Sequence, residues 1–533
     1  MWNHMAPGAT ARCRKLAQKF PCGRINTIAA DRRLAKKSAP FQHSGGLLSR
    51  VFTDCWLVRL GQRRHQAPHR SAAVVIFVIA VVGFGPPIPI ARGQIATPQT
   101  DANRQGTVLT LSRAADAALA NNPAIRKAAS ANEEAAARLG EVRAARLPSL
   151  QFGETFIRSD NPVFVFGSLL EQGRFTSSNF NIQSLNHPDA LDNFRTAFSF
   201  SLPIYDQKQT TTRIAEAKDG QQQSALAEER TEQELRLAVI KTYYGLVLAQ
   251  ARKVVAAETV TSAEAEVKQI QDRLDSGMIV QSDLLAAQVQ LSEFKQDAIR
   301  ADGDVTAAQA TLCLTMGLPV DNRQAVVAEL PDRTFQTPGQ GDQTQFIATA
   351  LRERPDLKSA RLRIHSTESG LQRARGEYLP KVDFFANYGI SGQGLASGDA
   401  DYTIGARVTV NLFDAGRKAR IEEARASRSE ARAEQDELED QARLEVVRAY
   451  QEFLAARQRV EVAGQAINQA TETLRIVQDR YQEGLTTITE VLRAQTASAR
   501  ARLSLLLARY DYCVGYANLL MASGILTGVG EFG

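Results

Sequence analysis

Arg480-Tyr481-Gln482-Glu483-Gly484 is followed by Thr489-Glu490-Val491-Leu492-Arg493-Ala494-Gln495. Two hundred and seven residues earlier, Arg273-Leu274-Asp275-Ser276-Gly277 leads into Ser282-Asp283-Leu284-Leu285-Ala286-Ala287-Gln288. Each stretch has a long helical pattern before it, a glycine with a β-branched patch, and a Ser/Thr-acid start to another helix. This predicts a turn between two long antiparallel helices, made twice.

Working outward, residues 207–276 and 415–483 are rich in Ala, Glu, Gln, Arg and Leu, and no proline lies between 204 and 318 or after Pro380. Leu235, Val239, Tyr243 and Leu246 match Ala442, Val446, Tyr450 and Phe453 at the same offset, spaced by four, four and three. That spacing is one face of a helix. Seventy residues of helix would run about 100 Å at about 1.5 Å per residue, and such a length needs neighbours along all of it. Returning helices are expected over 282–316 and 489–523, ending near Gly317 and Gly524.

Further towards the N-terminus the grammar also repeats. A short helical pattern from Thr107 ends at Asn121-Asn122-Pro123, and a second helix stops at Leu147-Pro148. The counterparts, Phe346 to Pro355 and then Leu379-Pro380, lie 232 residues on at both prolines. After each Leu-Pro the period falls to two. Val382, Phe384, Ala386, Tyr388 and Ile390 alternate with polar or small residues, as do Tyr402, Ile404, Ala406, Val408, Val410 and Leu412. In the first half Phe198, Phe200, Leu202 and Ile204 alternate likewise, and the signal around Leu150–Ile157 is weaker. Strands are expected at about 148–158, 194–205, 381–391 and 402–413. Their length and their one apolar face suit tilted membrane-spanning strands. The connections 158–193 and 391–401 are polar and rich in Gly, Asn and Ser. The first is long enough to change the offset from 232 to 207, and its Phe164, Phe166, Leu169, Leu170 and Phe175 suit folding over the mouth, disorder or lipid contact alike.

The repeats are therefore set at 107–318 and 344–524, joined by a linker over 319–343. A tail over 525–533 reads as uncapped and flexible. Residues 71–85 are apolar and uncharged, follow Arg63, Arg64 and Arg70, and precede Ala91-Arg92-Gly93. That is the pattern of a secretory signal over 71–93. Residues 1–70 hold both Trp, three of the five Cys and four of the six His without periodicity, and are expected to be absent from the mature protein. Residues 1–93 carry fifteen Lys and Arg against two acids, whereas the rest carries 49 against 56, so the basic balance belongs to the leader. No basic stripe with interleaved aromatics points to nucleic acid.

Catalytic constellations are not evident. The mature part has His187 and His365, far apart and without an obvious partner, and no phosphate loop, nucleophile elbow or zinc-protease motif. Glu228-Glu229 and Glu437-Glu439-Asp440 read as solvated helix faces, and most Arg is placed to pair at i,i+3 or i,i+4. Cys313 and Cys513 occupy different places in the two repeats and read as buried small hydrophobes.

A secreted chain with this repeat and the hairpin signature R-x3-G-x5-(D/E)-(L/V)-L-x-A-Q resembles the TolC-type outer membrane efflux family over roughly 107–524. The resemblance implies an α+β membrane protein and a homotrimer. Each protomer would give four strands to a twelve-stranded barrel in outer membrane lipid and its long helices to a periplasmic α-barrel. A periplasmic adaptor (membrane fusion) protein would dock at the tip glycines Gly277 and Gly484. An inner-membrane transporter would supply the energy, with no cofactor, metal or chemistry in the duct itself.

Asp283, Tyr481, Thr486, Glu490 and Arg493 match positions of the closing aperture. Helix-ending glycine, a carboxylate favoured by the helix dipole and an aromatic packed between helices account for most of these residues too. Thr486 stands where the best-known members often have Arg, and Arg493 where they can have a second acid. Glu490 and Arg493, one turn apart, are placed to pair and weaken cation selectivity. A periplasmic coiled-coil scaffold with a small soluble β-domain is the rival reading, and it predicts a mixed apolar core in place of two-faced strands.

Overall fold

The computed structural model describes residues 109–320, 343–395 and 397–532. The expected extension (1–70), signal peptide (71–93) and most of the linker lie outside the described residues.

Two short helices open the chain, α1 (Leu111–Asn121) and α2 (Pro123–Ala144). Thr110 caps the first through its hydroxyl, and Asn122 ends it while its side chain caps the second, with Pro123 at the first helical position. Strand β1 (Ser149–Ser159) follows, then α3 (Pro162–Glu171), a 3₁₀ turn (Ser177–Phe180), the single-turn α4 (Ile182–Asn186) and β2 (Leu191–Asp206). Next come α5 (Gln209–Asp275, 67 residues) and α6 (Gln281–Thr315, 35 residues). The second half runs α7 (Gln343–Glu353), α8 (Pro355–Gly376), β3 (Lys381–Gly394), β4 (Ser397–Thr409), α9 (Arg417–Gln482, 66 residues) and α10 (Ile488–Ala522, 35 residues). The described residues are thus helix-rich with one small antiparallel sheet.

In that sheet the order is β1-β2-β3-β4, so among the described residues β1 and β4 each pair on one side only. The register aligns Phe152, Phe198, Tyr388 and Tyr402 across the four strands, and Leu150, Phe200, Ala386 and Ile404 beside them. Directly paired residues share a face, so these residues make one apolar surface. Phe152 touches Phe198, Phe156 touches Phe194 and Phe200 touches Phe384. That surface stays largely exposed, with Phe152 at 64%, Ile404 at 64% and Tyr402 at 76%. The opposite face carries Gln151, Ser199, Asn387 and Thr403 in register.

Several sequence expectations need correction here. Segments 158–193 and 391–401 are not plain loops. The first folds into α3, the 3₁₀ turn and α4, and the second is mostly strand, because β3 continues to Gly394 and β4 starts at Ser397. β4 ends at Thr409, so Val410 and Leu412 lie beyond it. In β2 the alternation breaks after Pro203, which has no N–H to give the ladder. Ile204 becomes the extra residue of a bulge, and Tyr205 takes the position opposite Val382.

The long helices pack in hairpins, α5 on α6 and α9 on α10, while α2 and α8 lie along α5 and α8 also meets α9. Where the hairpins and short helices meet sits the main core: Val239, Tyr243 and Leu246 of α5, Leu312 and Met316 of α6, Phe453 of α9, and Cys513 and Tyr516 of α10. Cys313 and Cys513 are both buried, and burial pushes the Cys513 thiol up to about 12. The tail is part of this core. Leu526, Val529 and Phe532 are buried, Tyr244 donates to the Phe532 carbonyl, and Tyr516 donates to Glu531 at 2.8 Å. Gly524 turns the chain back over the helix end, which brings the apolar Ile525-Leu526 pair inward.

Many Arg residues pair within their own helix, such as Arg236 with Glu232 and Arg475 with Glu472 and Asp479. Others join elements. Arg354, almost wholly buried, bonds Asp356, Glu445 and the Ala522 carbonyl at the end of α10. Burial alone would raise the Asp356 carboxyl, but the Arg354 bond and charge outweigh it and hold it below the usual range. His365 also has a partner: its Nδ1 lies 2.6 Å from Asp219 Oδ2 on α5.

Candidate functional site

The free end of the two hairpins is built from four helix termini. α5 ends on Gly277, at φ 72, where the Met278 N–H reaches the Arg273 carbonyl and the Gly277 N–H the Leu274 carbonyl, at 3.0 and 2.8 Å. α9 ends on Gly484, also at φ 72, with Leu485 bonding to Arg480 at 2.8 Å and Gly484 to Tyr481 at 3.0 Å. Both are left-handed glycine caps that satisfy the last carbonyls. Nothing lies within 4 Å of where a Cβ would stand on either glycine, so conformation alone calls for glycine there, and the space outside each tip is open. At the other ends of the hairpins the positive-φ glycines are crowded: a Cβ on Gly317 would meet the Asn121 carbonyl oxygen at 2.6 Å.

The returning helices start at Gln281 and Ile488, a residue earlier than the Ser/Thr-acid pattern suggests. Val280 and Thr487 occupy the cap positions without a side-chain cap bond, and Asp283 and Glu490 sit in the first turns, where their charge suits the helix dipole.

A second apolar cluster holds the two tips together. Ile270, Leu284, Ala287, Tyr481, Ile488 and Val491 are buried there. Arg273 crosses between the hairpins, donating to the carbonyls of Tyr481 and Gln482 at 3.1 and 3.3 Å. Its guanidinium stands 5.0 Å from the centre of the Tyr481 ring. A cation is favoured at a helix C-terminus and over an aromatic face, and Arg273 does both at once. Burial pushes the Tyr481 hydroxyl up, with the neighbouring Arg273 opposing. Buried Glu266 shows the same balance: burial pushes its carboxyl up and Arg273 pulls it back.

Of the residues named from sequence, the structure brings Tyr481 and Asp283 into one electrostatic neighbourhood with Arg273 and Glu266. Gly277 and Gly484 cap the two adjacent tips. Thr486 is half-buried in the second turn. Glu490 and Arg493 are exposed and form an ion pair with each other at 2.9 Å, apart from the Tyr481 cluster. Arg273 and Glu266 were not among the candidates. Arg273 was visible as the first residue of the repeated signature, whereas Glu266 looks like any helix carboxylate in the sequence. Met278, Val280 and Leu485 add exposed apolar side chains around the tips.

Among the described residues no cluster of three or more His, Cys, Asp or Glu is placed to hold a metal, and no helix is long and apolar enough to cross a membrane. What the tip offers is a paired, open-ended helical surface.

Long helical hairpins with such tips, joined to a small two-faced antiparallel sheet, define an outer membrane channel fold. The comparisons with known proteins agree. The family model "Outer membrane efflux protein" matches residues 114–318 and 346–524. The chain belongs to this family, and it is an outer membrane efflux channel with a helical periplasmic part. It is 23% identical over 345 residues to the alkaline protease secretion protein AprF of Pseudomonas aeruginosa, spanning 63% of this chain and 70% of that protein. To the outer membrane efflux protein BepC of Brucella suis it is 26% identical over 273 residues, 49% of this chain and 57% of that protein. Among solved structures, the CusC channel superposes with a TM-score of 0.68 at 19% identity, covering 78% of this chain and 92% of that one.

Proposed function

We propose that the protein works as a homotrimer built on two structural repeats, 107–318 and 344–524. Each protomer gives four strands to a twelve-stranded barrel and two long hairpins to a periplasmic α-barrel. The carrying observation is the sheet: four strands, two open edges, and one face of exposed Phe, Tyr, Ile and Val. Open strand edges are not tolerated in lipid and four strands are too few to close, whereas three copies supply an even twelve. The apolar face would meet lipid and the polar face the lumen.

In this reading the duct is passive and performs no catalysis. A periplasmic adaptor docks on the tips at Gly277 and Gly484, where the surface is open and carries Met278 and Leu485. An inner-membrane transporter supplies the energy. Asp283, Tyr481, Thr486, Glu490 and Arg493 line or hold the aperture, which opens by a shift of the paired helices. AprF, an alkaline protease secretion protein, and BepC, an efflux protein, mark out the range of cargo to test.

Fractionation with reconstitution tests this function. The protein should sediment with the outer membrane and conduct ions in planar lipid bilayers. Recovery with soluble periplasmic proteins, and no conductance at any voltage, would overturn it and favour the scaffold reading.

A further inference from the structure

The helix α3 is amphipathic in an unusual sense. Val165, Ser168 and the C-cap residue Gln172 are buried, while Val163, Phe166 and Leu170, spaced by three and four, form a more exposed apolar row at 83%, 37% and 52%, with the Phe166 ring packed on Phe175 at 4.9 Å. α3 leaves the end of β1 and contacts β2, β3 and β4. Its ten residues cover about 15 Å, close to three strand spacings of about 4.8 Å.

The partners show which face of the sheet it lies on. Glu171 accepts from Arg195 at 2.9 Å, and Arg195 also bonds Ser391 at 3.2 Å and Asp401 at 3.1 Å. Gln172 donates to the Asp192 carbonyl and to the buried Asn193 side chain, both at 2.9 Å. At the end of α3, Gly173 (φ 64) lies so near Asp399 that a Cβ would stand 1.6 Å from its carboxylate. Asn193, Arg195, Ser391, Asp399 and Asp401 all belong to the face that carries Ser199, Asn387 and Thr403. α3 therefore lies on the polar face, at the strand ends away from the long helices.

We infer that α3 is a lid inside the outer mouth, and that its Val163–Phe166–Leu170 row meets the same row of the other two subunits. The inference rests on the trimeric barrel proposed above. Twelve strands about 4.8 Å apart and tilted by about 40° enclose a ring about 24 Å across. A helix about 10 Å thick on the wall of each third fills most of that width. The apolar rows then face one another at the centre. This accounts for a helix that bonds the wall through Glu171 and Gln172 and leaves Val163, Phe166 and Leu170 exposed. Arg195, bonded to the lid through Glu171 and to the wall through Asp401, is the latch.

Thiol accessibility tests the lid. Asn387→Cys is placed on the polar face, past α3 from outside, and intact cells are treated with a bulky membrane-impermeant maleimide. Slow modification is expected. Replacing 162–190 by a short Gly-Ser turn should speed it about tenfold or more, and Glu171→Ala in part, as loss of a charge-assisted bond would give. Leu170→Cys should also form a disulfide between subunits, which needs Cβ atoms about 4 Å apart. Equal modification rates with and without the lid, or no cross-link through Leu170→Cys and Phe166→Cys alike, would overturn the proposal while leaving the barrel intact. A failure of the barrel itself reads differently: Phe198→Cys, on the apolar face, would then react with a small water-soluble maleimide as fast as Asn387→Cys.

Discussion

At the scale of single residues, the positive-φ glycines separate conformation from packing. Gly484→Ala should cost about 1–2 kcal/mol, the strain of a left-handed alanine with free space around it. Gly317→Ala should cost more, because the new methyl also meets the Asn121 backbone. Heat or denaturant unfolding of the purified protein gives both values, and equal losses would remove the distinction. Arg354 provides a second case. Removing it leaves Asp356 without its buried partner, and Arg354→Ala should cost about 3 kcal/mol or more. The Asp356 carboxyl is held below its unfolded value, so the stability it contributes is present above the unfolded pKa and lost as the pH falls through the folded one. Acid unfolding curves should therefore lose part of their slope below about pH 4 in Arg354→Ala.

Arg493 bears on selectivity. Its ion pair with Glu490 is exposed, so it adds little stability, yet it neutralises a carboxylate at the proposed aperture. Arg493→Ala should raise cation selectivity in planar bilayers, read as a shift in reversal potential, with the melting temperature nearly unchanged. An unchanged reversal potential would place the pair away from the ion path.

Among elements, the tail behaves as a strap over the junction of α5 and α10. Deleting residues 525–533 uncovers Tyr244 and Tyr516 and removes buried Leu526, Val529 and Phe532. At about 1.5–3 kcal/mol for each large apolar side chain the loss should reach several kcal/mol, measurable as a large drop in melting temperature. The tail also shows where sequence reading stops. ILTGVGEF has no helical or strand period, so nothing local says that Gly524 will aim it inward. The alternation of Val382, Phe384, Ala386 and Tyr388 is the opposite case: the face it defines is the apolar face in the register. Ile204 fails that rule because the bulge after Pro203 depends on the partner strand, which a local period does not contain. α3 stayed hidden among polar loop residues for a similar reason, since its buried side is set by Arg195 and Asn193 on a different element. The long helices were legible in Leu235, Val239, Tyr243 and Leu246, all buried. At the tip, the glycines and Arg273 are visible as a repeated pattern, whereas the burial of Glu266 depends on the neighbouring hairpin.

For the whole molecule, the physical tension lies in the sheet. Its apolar side chains stay exposed and its outer strands stay half-paired, while the helices below it already have a core of their own. In the proposed trimer, lipid and two further copies of the chain would relieve both problems together, and the same arrangement would place six hairpin tips at one end. The most direct test is the native mass of the 94–533 chain extracted from outer membranes. A trimer that stays dispersed only in detergent is the predicted result. A water-soluble monomer or dimer would contradict the shared barrel and, with it, the aperture and the lid.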